Sequence, residues 1–110
     1  MTFEEYQDRA RRTCPAYDSN DDRLYHAVFG LCSEAGEVAG ILQKVYQGHT
    51  ADREHLIREL GDCMWMISEA CDALGATMEQ VGKVNILKLM DRYPDGFSPD
   101  RSIHRQDGDI

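Results

Sequence analysis

Three observations on these 110 residues predict an all-α fold. Apolar residues recur at helical spacing over most of the chain, and capping residues precede each such stretch. No segment shows the period-two alternation of a half-buried strand. The prediction is one domain over residues 1–97, built from four helices, followed by a polar tail over 98–110. The short chain buries only about two thirds of its unfolded surface, so association into an oligomeric helical bundle would help it.

Taken in order, Thr2 with Glu5 forms a capping box, and a helix from about Phe3 to Thr13 follows. Pro15 ends it, and Asp18-Ser19-Asn20-Asp21 reads as a loop rich in turn residues. A long helix is predicted from about Asp22 to Gln47, with Leu24, Ala27, Leu31, Val38, Leu42 and Val45 as its core stripe. Gly48-His49-Thr50 supplies its C-terminal cap and turn. Asp52 caps a third helix that runs to about Leu74, where Gly75 stops it. Around Cys63-Met64-Trp65-Met66-Ile67 the apolar residues of this helix point in nearly every direction, which calls for neighbours on several sides and predicts a homodimer or homotetramer. Thr77 caps a fourth helix to about Arg92, closed by Pro94-Asp95-Gly96. The remainder, from Ser98 on, is polar and without periodicity.

Composition narrows the function. A formal net charge of -8 argues against gripping a nucleic-acid backbone, which takes clustered Lys and Arg. It leaves room for a small phosphorylated ligand, because a bound metal inverts the local electrostatics. The N-terminus begins polar and acidic with no apolar core segment of a signal peptide, and no apolar run is long enough to span a membrane, so the expected location is cytoplasmic. Cys14, Cys32, Cys63 and Cys71 form no C-x-x-C pair and no zinc spacing, and read as reduced thiols packed as small hydrophobes.

Two acidic pairs carry the chemistry, Glu34-x-x-Glu37 and Glu59-x-x-Asp62. At about 100° per residue, Glu34 shares its face with Ala27, Leu31, Val38, Ile41 and Val45. Glu59 likewise sits among Leu56, Cys63, Met66 and Ala70, with Glu37 and Asp62 each about 60° to the flank. One such pair would be a solvated surface feature; two, each aligned with an apolar stripe, predict that the two long helices bring their acids together. Each close pair of carboxylates would repel by about 4 kcal/mol at an effective dielectric of 20. A hard divalent cation removes that cost, and an all-oxygen set suits Mg²⁺, with Mn²⁺ as a substitute. A di-iron site would want a Glu-x-x-His from each of two helices, and neither pair has the His.

Asn85, Lys88 and Arg92 line one face of the fourth helix and suit phosphate or a ligand oxygen, as does Lys44, two turns beyond Glu37 on the same flank. A polar outer face explains the first three equally well. His26 and Gly30 share the flank of Glu37, and Trp65, one turn after Asp62, offers a stacking surface or plain packing. There is no Walker A loop, G-x-G-x-x-G, G-x-S-x-G or H-E-x-x-H.

These segments resemble a known family. Gly30-Leu31-Cys32-Ser33-Glu34-Ala35-Gly36-Glu37-Val38 is similar to the GLxGEAGEV signature of MazG-like nucleoside triphosphate pyrophosphohydrolases, with Ser33 where many members carry Gly. Glu59-Leu60-Gly61-Asp62-Cys63-Met64-Trp65 resembles their ELGDxLW segment. Asn85-Ile86-Leu87-Lys88-Leu89 with Arg92-Tyr93-Pro94-Asp95-Gly96-Phe97 resembles the N-x-x-KL…RYPxGF ending, and Tyr6-Gln7 with Arg12-Thr13 the start of short phage and bacterial members. The resemblance spans about residues 3–98 and implies an all-α, dimeric or tetrameric hydrolase that cleaves nucleoside triphosphates to monophosphate and pyrophosphate with Mg²⁺. It implies Glu34, Glu37, Glu59 and Asp62 as the metal-binding and catalytic acids; in the expected mechanism one of them, Glu37 or Glu34, takes the water's proton while the others remain ligands. Lys44, Asn85, Lys88 and Arg92 are the substrate-side candidates. Two alternatives stay open: a non-catalytic helical nucleotide-binding or regulatory module, and a hydrolase of another pyrophosphate-containing nucleotide.

Overall fold

The structure, a computed structural model, describes residues 1–105; residues 106–110, the end of the segment read as a polar tail, lie outside the described residues. Five helices are present among them: α1 (Phe3–Arg11), α2 (Asn20–Tyr46), α3 (Arg53–Ala73), α4 (Met78–Arg92) and α5 (Pro99–Ile103). No strand occurs among the described residues, and no helix there is long and apolar enough to cross a membrane.

Side-chain caps set the helix starts. Thr2 Oγ1 accepts from the Glu5 N–H at 3.1 Å, and Asp52 Oδ1 from the Glu54 N–H at 3.0 Å. Ser19 Oγ accepts from the Asp22 N–H at 3.1 Å, so α2 begins two residues earlier than predicted. Both long helices end in a Schellman motif around a left-handed glycine. Gly48 (φ 103) lets the His49 N–H reach Lys44 O at 2.9 Å, and Gly75 (φ 67) does the same for Ala76 and Cys71 O at 2.9 Å. Ser98 caps α5, with Pro99 in its first turn, so helix forms within the segment that lacks periodicity.

The chain divides into two compact units, Met1–Met78 and the segment from Glu79 onward. In the first, α2 and α3 pack along each other and α1 packs on α3. The short link between α2 and α3 makes them antiparallel neighbours. Little apolar surface is fully buried: Ala27, Cys71 and Met78. On α2, Leu24, Leu31 and Val38 are half-buried, but Leu42 and Val45, read as part of the core stripe, are exposed. The seam with α3 covers the first two thirds of that stripe and leaves its end open.

Polar contacts tie α1 down instead. Gln7, buried, donates through Nε2 to Asp72 Oδ1 at 2.7 Å and to Ala76 O at 3.0 Å, and its Oε1 accepts from the Met78 N–H at 2.9 Å. One amide thus satisfies backbone groups at the end of α3 and the start of α4 that would otherwise be orphaned. In the second unit, α4 leads into a turn where the Gly96 N–H reaches Tyr93 O at 3.2 Å and the Tyr93 and Phe97 rings lie 5.4 Å apart.

Candidate metal centre

Glu34 on α2 meets Glu59 and Asp62 on α3, one carboxylate oxygen of each lying within 4.8 Å of the others. Residues three apart on α3 face one way, which places Glu59 and Asp62 together; the α2–α3 seam adds Glu34. Gly30, one turn before Glu34, permits the close approach. A Cβ there would fall 2.5 Å from Met66 Sδ and 2.6 Å from its Cε.

The electrostatics of the triplet are unbalanced. Burial pushes the Glu34 carboxyl up, and the charges of Asp62, Glu37 and Glu59 push it further. Glu37 is exposed and outside the triplet, yet near enough for its charge to act on Glu34. Three hard oxygen donors so close together suit Mg²⁺ or Mn²⁺.

Two neighbours of the triplet are not among the predicted site residues. His55 Nε2 lies 3.2 Å from Glu59 Oε1, one turn back on α3, and holds that carboxylate in place. Tyr6 on α1 feels the charge of Asp62: burial first, and then that charge, raise its hydroxyl's pKa. The i, i+4 spacing to Glu59 is the sequence signal for His55, and Tyr6 stands in the opening segment of the resemblance, which assigned it no role.

The other predicted residues are distributed as follows. Lys44 is exposed in the last turn of α2. Asn85 and Lys88, exposed, and Arg92, half-buried, lie on α4 in the second unit. Trp65 is half-buried and donates from Nε1 to Thr13 Oγ1 at 2.8 Å. His26 is held by Glu69, its Nδ1 3.0 Å from Glu69 Oε2.

Glu69 belongs to a second acidic pair on α3, Glu69-x-x-Asp72, that repeats the spacing of Glu59-x-x-Asp62, and its Asp72 binds cationic side chains. Asp72 accepts from Arg11 at 2.9 Å and from Arg23 at 3.1 Å. Burial alone would raise the Asp72 carboxyl; the hydrogen bonds of Arg11 and Gln7 and the charges of Arg11 and Arg23 outweigh it and hold the pKa below the usual carboxylate range. Asp72 is therefore charge-paired with two guanidinium groups within the chain.

The family model for the MazG nucleotide pyrophosphohydrolase domain matches residues 26–97, a stretch that includes all four predicted acids and Lys44, Asn85, Lys88 and Arg92. Gene 37 protein of Mycobacterium phage L5 is 30% identical, over 78% of this chain and 75% of that protein. No solved structure gives a significant match. With an all-helical fold, a carboxylate triplet on the seam of its two long helices and a family match over most of its length, this chain belongs to the MazG nucleotide pyrophosphohydrolase domain family.

Proposed function

We propose that this chain hydrolyses nucleoside triphosphates to the monophosphate and pyrophosphate, with Mg²⁺, or Mn²⁺ in its place, held by Glu34, Glu59 and Asp62 and with Glu37 alongside. The observation that carries the proposal is the meeting of three carboxylates within 4.8 Å in a member of a pyrophosphohydrolase family. When bound, the cation supplies charge for the phosphate oxygens and an acidified water.

The chain's own groups divide the remaining work. The oxygen of water attacks the α-phosphorus, the bond from that phosphorus to the bridging oxygen breaks, and pyrophosphate departs. Glu37, outside the triplet, is the carboxylate left to accept the water's proton. His55 keeps Glu59 oriented. Lys44, Asn85, Lys88 and Arg92 are assigned to the substrate, the three cations to phosphate charge and Asn85 to a ligand oxygen. The working form is a homodimer or homotetramer, a reading supported by the apolar side chains left exposed on α2, α3 and α4.

The test is incubation with a panel of ribo- and deoxyribonucleoside triphosphates, with Mg²⁺ or with EDTA, and chromatography of the products. Monophosphate and pyrophosphate formed only with the metal are expected. Diphosphate and orthophosphate would mean that a different bond is cut. Metal-dependent nucleotide binding without turnover would favour a regulatory module in place of the enzyme.

A further inference from the structure

Seven residues return nearly to the same side of a helix, so Glu69 faces the same way as Asp62, about 10 Å further along α3. On the antiparallel α2, His26 lies eight residues before Glu34, about 12 Å away along the axis. The seam therefore carries the carboxylate triplet at one level and the His26–Glu69 pair at another, two turns off. Trp65 sits on α3 between the two levels, its indole held by Thr13.

The pair is built with unusual care for a half-exposed histidine. Glu69 is 3% exposed, and both its oxygens are engaged, Oε2 by His26 and Oε1 by Cys14 Sγ at 3.3 Å. With Nδ1–H donating to that carboxylate, the uncharged ring presents Nε2 as an acceptor. The Tyr17 hydroxyl is 2.8 Å from the same nitrogen, and its ring leans on the imidazole at 5.2 Å. Burial first, then Glu69, push the Tyr17 pKa up to about 12, so the phenol keeps its proton. Nε2 is left without a partner among the described residues, on a side chain that is 46% exposed.

The pair anchors the 12–19 loop through Cys14 and Tyr17, a task that uses Glu69 and Nδ1 and leaves Nε2 over. Thr13 is already fixed by Trp65, and Arg11 and Arg23 by Asp72. None of these contacts needs an imidazole with a bare, oriented acceptor. We propose that His26 Nε2 is a specificity-determining contact for the nucleobase: the base lies along the seam beside Trp65, and an N–H of its pairing edge donates to Nε2. The separation between the two levels is about that between the phosphate attached to a nucleoside and the far edge of its base. In the other direction from Glu34, α2 leads to Lys44, a cation suited to phosphate. This inference rests on the proposed nucleotide substrate, and names how its base is read.

The test is the imidazole ¹⁵N signal of His26 in the full chain with Mg²⁺, titrated with each nucleoside monophosphate and with ribose 5-phosphate. We expect Nε2 to move with at least one nucleotide and to stay in place with ribose 5-phosphate. The same movement with ribose 5-phosphate, or none with any nucleotide, overturns the proposal. His26→Ala is expected to cut the ratio of kcat/KM between the best and worst bases by about tenfold, the worth of one good hydrogen bond, with His26→Gln keeping part of it. An equal loss for every base would assign His26 to structure alone and overturn it. The two readings fail separately. Turnover with an unresponsive Nε2 removes this contact and leaves the reaction, whereas a base-dependent Nε2 without turnover keeps the contact and removes the reaction.

Discussion

Glu34 holds its proton more tightly in the folded chain than in the unfolded one, because burial and three nearby acids disfavour its charge. The sign for stability follows from linkage. An acid raised on folding favours the folded state while protonated, and its ionisation costs stability as pH rises from the ordinary carboxyl range through the raised value. Removing the Asp62 charge lifts the first-named of the three electrostatic contributions. Asp62→Asn without metal is therefore expected to melt at or above the wild-type temperature at neutral pH, with its helical circular dichroism intact. Turnover should be lost, and with it the rise in Tm that Mg²⁺ gives the wild type. An Asp62→Asn protein that hydrolyses triphosphates at the wild-type rate would remove the metal site, and Glu59→Gln provides an independent check. Asp72 has the opposite sign. Its depressed pKa contributes stability that is present above the ordinary carboxyl value and is lost as pH falls through the folded-state value. Asp72→Asn should cost about 2 kcal/mol at neutral pH in urea unfolding, since Arg23 loses its buried counter-charge. Below the ordinary carboxyl value the gap between variant and wild type should narrow; a gap independent of pH would mean that packing, not charge, sets the cost.

At the scale of elements, the α2–α3 seam decides whether the acids meet, and Gly30 is where the two helices come closest to conflict. The atoms that a Cβ would meet are the far end of Met66, a flexible side chain. Gly30→Ala should therefore be nearly neutral, the displacement of Met66 being offset by the about 1 kcal/mol that Ala gains over Gly in a helix. Gly30→Val should cost about 1–3 kcal/mol by overpacking, and Met66→Ala should restore part of it in a double-mutant cycle read by urea midpoints. Full additivity would mean that the two side chains do not share that space. The same seam explains what was legible in the sequence. Helices α1 to α4 were, because caps such as Thr2 and Asp52 and the apolar spacing act within a few residues. The meeting of Glu34 with Glu59 was legible too, since it follows from which face each acid occupies. Asp62 carries the same offset from its stripe as Glu37, so spacing alone did not tell which of the two would join Glu34 and Glu59. His26 with Glu69, and Asp72 with Arg11 and Arg23, were not legible: their partners are 43 to 61 residues apart, and the register of one helix against another comes from packing alone. Short α5 rests on the Ser98 cap and Pro99 and has no periodicity to read.

The whole molecule leaves a surface that its own packing does not explain. Among the described residues three apolar ones are buried, while Phe29 on α2, Leu60 and Leu74 on α3, and Val84, Leu87 and Met90 on α4 are exposed. A chain of this length gains stability when a second copy covers exposed apolar side chains. Phe29 stands at 70% exposure beside Tyr25, whose ring is 6.5 Å away and nearly parallel, an aromatic platform with nothing over it. We expect a dimeric or tetrameric mass by sedimentation, and a Tm that climbs with protein concentration because association draws on the folded state only. Phe29→Glu places a charge in that platform and should lower both the mass and the Tm while leaving the carboxylate triplet, one turn and more away on α2, in place. If the wild type sediments as a monomer with a Tm independent of concentration, self-association is not what covers α2, and the stability of the chain must come from the polar ties around Gln7 and Asp72 to a degree that the Asp72→Asn measurement would register.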